Sequence, residues 1–196
     1  MKVLFQLPFL NLQTINMKYL LIVFITISAT CFSQSKDICE HTTEGNPNAN
    51  TLKLKITVPC EWKSEYLNVP FGVGKFVYTR SGLMATLSLV IGNIDAATTD
   101  KEAQEILTES GLRILTKGAT QYGNTRKLKI NGVNGGEIIL KNTDRGKIFY
   151  SIQDYFIYNR KLVLIQYTVA SKNTEDFKTW QPFFNSLLQN TKFAKL

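Results

Sequence analysis

Gly123 to Ala170 reads GNTRKLKINGVNGGEIILKNTDRGKIFYSIQDYFIYNRKLVLIQYTVA. Asn131-Gly132 separates alternating segments, Asn124 to Ile130 before it and Glu137 to Lys141 after it. Both central positions of a tight two-residue hairpin turn need positive φ, which Asn and Gly tolerate. Asn134-Gly135-Gly136 suggests a bulge or a slightly longer connection. Two long strands are expected next, Lys147 to Tyr158 and Lys161 to Ala170, joined at Asn159-Arg160. A two-residue turn there sets Ile157 opposite Leu162, Phe156 opposite Val163 and Asp154 opposite Ile165. One face then carries Tyr150, Ile152, Asp154, Phe156, Val163, Ile165, Tyr167 and Val169, and reads as core with one carboxylate in it. The other carries Ser151, Gln153, Tyr155, Ile157, Leu162, Leu164, Gln166 and Thr168, and Ser151, Gln153, Tyr155, Gln166 and Thr168 give it a polar, partly aromatic character.

The preceding chain supplies more of a sheet. Leu52, Leu54, Ile56 and Val58 alternate with Lys53, Lys55 and Thr57, the period of a half-buried strand, and Pro59 ends it. Trp62 is expected to fold back over the core edge. Phe76 to Arg80 and Leu83 to Ile91 form a hairpin around Ser81-Gly82. The second of these strands is apolar on one side and uncharged on the other, as in the middle of a sheet covered on both faces. Thr99 with Glu102 has the form of a capping box and opens a helix expected over 100–115. From Thr174, a reasonable N-cap, the residues Phe177, Trp180, Phe184, Leu187 and Leu188 recur at helical spacing. Pro182 is expected to kink or restart that helix. The aromatic stripe reads as the lid on one sheet face.

The N-terminus reads as an export signal spanning residues 1–33. Lys18 precedes the apolar run Tyr19 to Ile27, which is short for a bilayer span, and Cys31-Phe32-Ser33 offers a cut that leaves Gln34 first. Met17 looks like the natural start. A lipid anchor on Cys31 ranks second, because Ser28 and Thr30 fit the acylation box poorly. The formal net charge is +8, of which only Lys2 and Lys18 lie in the leader. The basic residues of the remainder are scattered over strand faces and turns, with no stripe interleaved with aromatics, which excludes nucleic acid as a favoured partner. Residues 34–50 read as a polar tail and 51–196 as one domain. Two cysteines remain after the cut. Cys39 and Cys60 each have one available partner in a compartment that permits disulfides; the alternatives are a bridge or two free thiols.

Several short motifs now stand in order: Val58-Pro59-Cys60-Glu61-Trp62 at the end of the first strand, Leu87 to Val90, Ile130-Asn131-Gly132, and a closing helix that contains proline and ends near Asn185-Ser186-Leu187. Their order and spacing resemble the PsbP-like (Mog/PsbP) superfamily over residues 51–194. The resemblance implies an α+β fold, an α-β-α sandwich with a central antiparallel β-sheet flanked by helices. It also implies a role that is mostly non-enzymatic. The members include a photosystem II extrinsic subunit, a nuclear Ran-binding protein and exported bacterial proteins without an assigned role, and fold does not transfer function between them.

The residues themselves offer little chemistry. His41 is the single histidine, and Cys39-Glu40-His41 could be read as a thiol–imidazole pair for a thiol-dependent enzyme or redox protein. Neighbours one and two apart rarely align as nucleophile and base, so a bridged cysteine beside a solvated histidine is the stronger reading. A transition-metal site would need more His or Cys. Asn93 with Asp95, or Asn142 with Asp144, lacks the spaced oxygen ligands of a calcium loop. Gly72-Val73-Gly74 lacks the rest of a phosphate loop. Asp154 has the unusual address: it either marks a polar pocket beside Tyr150 or Tyr167, or pairs with a lysine or arginine, or lies near an open sheet end. The sequence therefore points to a secreted or periplasmic, non-catalytic binding protein with no cofactor, whose partner is a protein, peptide or envelope component. Gln153, Asp154, Tyr155 and Gln166 are the candidate ligand-binding residues.

Overall fold

A computed structural model of the chain describes residues 37–80, 83–144, 146–171 and 174–194. The export signal, Cys31, the expected first mature residue Gln34 and the Ser81-Gly82 turn lie outside the described residues. The strands are β1 (Ile38–Thr42), β2 (Leu54–Pro59), β3 (Lys63–Glu65), β4 (Gly72–Arg80), β5 (Leu83–Asn93), β6 (Thr120–Gln121), β7 (Arg126–Ile130), β8 (Val133–Asp144), β9 (Lys147–Tyr158), β10 (Lys161–Ser171) and β11 (Lys192–Phe193). The helices are α1 (Asp100–Glu105), α2 (Glu109–Leu115) and α3 (Thr174–Gln189). The main sheet runs β3-β4-β5-β10-β9-β8-β6, with β7 also paired to β8, and a second sheet runs β1-β2-β11. Every pairing is antiparallel.

The meander forms in the expected register. Asp154 lies opposite Ile165, Phe156 opposite Val163 and Ile157 opposite Leu162. Asn131 (φ 49°) and Gly132 (φ 82°) make the first turn, and Asn159 (φ 49°) and Arg160 (φ 57°) the second. Left-handed backbone costs a long side chain such as arginine energy, and here the Arg160 guanidinium holds the position. It donates to the carbonyls of Asp95 and Thr98, both at 2.7 Å, and to the Asp100 carboxylate at 3.1 Å.

The eight residues expected on the inner face of β9 and β10 are all buried. α3 lies over them with Phe177, Trp180, Phe184, Leu187 and Leu188 turned inward, and Leu54, Ile56 and Val58 of β2 join the same cluster. Trp62 packs in the expected place, with ring centroids 6.2 Å from both Tyr78 and Trp180. The cover on the opposite face is smaller. Leu107 and Leu112, from the α1–α2 segment, pack on Ile138, Leu140 and Tyr155, and the outward side chains of β5 and β10 stay largely half-buried. The fold is α+β with helices on unequal parts of the two faces.

Four local features differ from the sequence reading. Residues 34–50, expected as a polar tail, contribute β1, which pairs with β2 from Ile38–Pro59 to Thr42–Lys55, and then a 3-10 turn at Pro47–Ala49. Their side chains are polar because β1 is an edge strand. The helix expected over 100–115 is two helices: Thr108 stops α1 and caps α2 by accepting from the Gly111 N–H at 3.3 Å. Leu112 then faces the sheet and Ile114 is exposed. Pro182 stands inside a continuous α3, so the helix does not restart there. Finally, Gly135 and Gly136 sit in regular pairing with Phe156 and Tyr155, without a bulge. They are there for close approach. A Cβ on Gly135 would stand 2.6 Å from the Phe156 ring, and one on Gly136 2.8 Å from the Leu107 carbonyl oxygen.

The Leu107 carbonyl is backbone and yields little, so Gly136→Ala is expected to destabilise by about 1–3 kcal/mol. That exceeds the roughly 0.4–1 kcal/mol which a Gly→Ala change returns through the unfolded chain. Gly92→Ala, with nothing within 4 Å of the added methyl, is expected to leave the urea midpoint unchanged or higher. Equal losses for the two variants would contradict the close-packing role.

Candidate functional site

β9 alternates, and its two faces carry two different polar groups. On the outer face Tyr155 donates from Oη to Gln153 Oε1 at 2.7 Å, and Gln153 Nε2 donates to Gln166 Oε1 at 3.4 Å. Gln166 Nε2 then donates to Thr168 Oγ1 at 3.1 Å, and Thr168 meets Ser151 Oγ at 2.9 Å. These side chains form a rail across β9 and β10, half-buried for the most part, beside the Leu107–Leu112 cover. Burial pushes the Tyr155 phenol up to about 12, so it remains a donor throughout the physiological range.

Asp154 faces the other way. It is 1 % exposed, on the core side of β9, and the sheet separates it from Gln153, Tyr155 and Gln166. Of the sequence-derived site residues, the structure therefore brings together the outer three and sets Asp154 apart. Its cross-strand neighbour on β8 is Glu137, itself 2 % exposed. Glu137 accepts from Arg126 Nη2 at 2.6 Å, and the same nitrogen donates to Asn185 Oδ1 of α3 at 3.3 Å. No donor group among the described residues reaches either oxygen of Asp154, whose carboxyl faces that of Glu137. Burial first and the Glu137 charge second raise the Asp154 carboxyl well above its ordinary 3.8, with Arg126 offsetting part of this. Tyr167 is likewise raised, by burial and then by Asp154.

Glu137 is the residue the sequence reading passed over. The signal was present: a two-residue turn at Asn131-Gly132 pairs Ile130 with Val133, and counting back sets Arg126 opposite Glu137.

The cysteines form the bridge, Cys39 to Cys60, with S–S 2.06 Å and Cα–Cα 5.0 Å. His41 lies on β1 with its ring 4.5 Å from that of Phe76, and burial lowers its imidazole pKa. Among the described residues no three of His, Cys, Asp and Glu gather into a group that could hold a metal. A concavity of about 660 Å³ opens at the tip of the β7–β8 hairpin, where Asn131, Gly132 and Asn134 meet Tyr158, Lys192 and Phe193.

No protein-family model and no curated protein matches the sequence. Solved structures do match. The solution structure of cyanobacterial PsbP (CyanoP) from Synechocystis sp. PCC 6803 superposes with TM-score 0.54 at 9 % identity, covering 80 % of this chain and 92 % of that one. The crystal structure of LpqN, involved in cell envelope biogenesis of Mycobacterium tuberculosis, superposes with TM-score 0.53 at 18 % identity, covering 82 % and 93 %. The chain has the PsbP-like fold.

Asp154 fixes the sign of one pH effect. A carboxyl whose folded pKa is raised contributes stability that is full below the ordinary carboxylate range and is lost as pH rises through the folded value. Asp154→Asn removes that loss, so the urea midpoint of the variant should gain on wild type as pH rises from acid to alkaline. A constant difference across the range would contradict the buried, uncompensated carboxyl. Cys60→Ser opens a bridge of sequence separation 21 and should cost about 3 kcal/mol by loop entropy, read as a lower denaturant midpoint that wild type reproduces only under reductant.

Proposed function

We propose that the protein is an exported, non-catalytic accessory protein that binds a protein or peptide of the cell envelope on the outer face of its main sheet. The observation that carries this reading is the Tyr155–Gln153–Gln166–Thr168 rail, fixed on two long central strands and half-covered beside the short helices. Each glutamine amide has two N–H donors, of which the rail uses one, so an extended polar partner finds donors on a rigid surface. The leader read in residues 1–33, the disulfide and the fold likeness to LpqN support the envelope setting. Thiol chemistry is the weaker reading, because Cys39 is bonded to Cys60 and His41 packs on Phe76.

A photo-crosslinking amino acid placed at Gln166, and separately at Glu44 in the exposed turn after β1, tests the face in the producing cell. The expected outcome is a discrete envelope adduct from position 166 and none from 44. Equal labelling from the two positions would reject the face, and a chain recovered from the cytoplasm with its leader uncut would reject export. An acylated Cys31 at the N-terminus would replace a free Gln34 with a lipid anchor.

A further inference from the structure

The buried carboxyls are not explained by binding on the outer face, and their surroundings give them a different task. We propose that Asp154 and Glu137 form a proton-binding site that latches the β7–β8 hairpin, one proton shared between them holding the hairpin closed and its loss loosening β7.

Ionised carboxylates only accept hydrogen bonds. Glu137 has its donor in Arg126, whereas both Asp154 oxygens lack one. The charged and titratable groups that act on Asp154 are Glu137 from β8, Arg126 from β7 and Tyr167 from β10, and the uncharged Asn185 of α3 holds Arg126 from its other side. One guanidinium balances one carboxylate. A proton on the pair neutralises the second charge and supplies the missing donor in the same step.

The mechanics follow from topology. Among the described residues β7 pairs only with β8, so it is an edge strand, and Arg126 at its start is half-exposed. Side-chain bonds fasten the hairpin at its base and at its tip. At its base Arg126 joins Glu137 to Asn185 of α3. At its tip Asn131 Nδ2 donates to the Thr191 carbonyl at 2.5 Å. When the shared proton leaves, two buried negative charges face one guanidinium and must draw water. Water reaches them past Arg126, the half-exposed member of a group whose two carboxyls are buried. Arg126 stays paired, but the strand that carries it moves outward, and the cleft at the hairpin tip widens with it.

Amide hydrogen exchange of residues 126–137, corrected for intrinsic rates, tests the latch between mildly acid and mildly alkaline pH. Wild type should lose protection in β7 by about tenfold or more across that range while β10 holds. Asp154→Asn should keep β7 protected at every pH. Side-chain carboxyl NMR of wild type alone decides the proton: Asp154 should remain protonated at neutral pH and titrate together with the loss of β7 protection. An ionised Asp154 at neutral pH would overturn the proposal, and so would β7 protection that does not change as Asp154 titrates. The NMR titration keeps the test valid even where the asparagine variant fails to fold.

Discussion

The pairing of β9 with β10 is the constraint on which the remaining layers depend. Side chains alternate along a strand with period two, so a one-residue slip would exchange every inward residue for an outward one. In the observed register Tyr150, Ile152, Phe156, Val163, Ile165, Tyr167 and Val169 make the floor on which α3 lies, with Tyr150 stacked on Phe177 and Tyr167 on Phe184, both at 4.9 Å. A slip would set Gln153 and Gln166 under those rings. The Asn159-Arg160 turn prevents it, since Arg160 ties its own left-handed backbone to the loop that leads into α1. A surface arginine therefore governs the register of the two central strands.

Much of this was legible in the sequence because it is local. Apolar period two gives the long strands, Asn131-Gly132 gives a turn with positive φ at both positions, and the stripe Phe177, Trp180, Phe184, Leu187 gives the buried face of α3. What escaped is what depends on a partner. β1 has exposed and half-buried residues in alternation, and only pairing to β2, with a bridge at one end, makes Ile38–Thr42 a strand. Gly135 and Gly136 look like a bulge until Phe156 and Leu107 are set against them. Thr108 reads as mid-helix, yet its hydroxyl competes for the backbone and begins a new helix instead.

The candidate site divides the same way. The outer rail was readable, because Gln153, Tyr155 and Gln166 share a face once the turn is placed. The partner of Asp154 was not read, although two turns fix it: Asn131-Gly132 sets Arg126 against Glu137, and the turn at Gly146 (φ 74°) sets Glu137 against Asp154. Following both registers in sequence would have shown a carboxyl pair with one arginine. Single-strand periodicity instead files Glu137 as a charge at the start of a strand.

A buried carboxyl pair is a poor way to make a protein stable. Desolvation of the second charge is not repaid by one half-exposed arginine, and well-packed apolar residues at such positions are often neutral or better. The sheet around Asp154 could accept them, with Ile152 and Phe156 beside it on the same strand and Ile165 opposite. Three polar groups from β7, β8 and β9, joined to α3 through Asn185, thus occupy a place where packing alone would prefer none. Their arrangement makes sense as a device whose strength depends on a proton. It lies at the base of the edge hairpin whose tip borders the 660 Å³ cleft, where a small loss of pairing energy becomes movement.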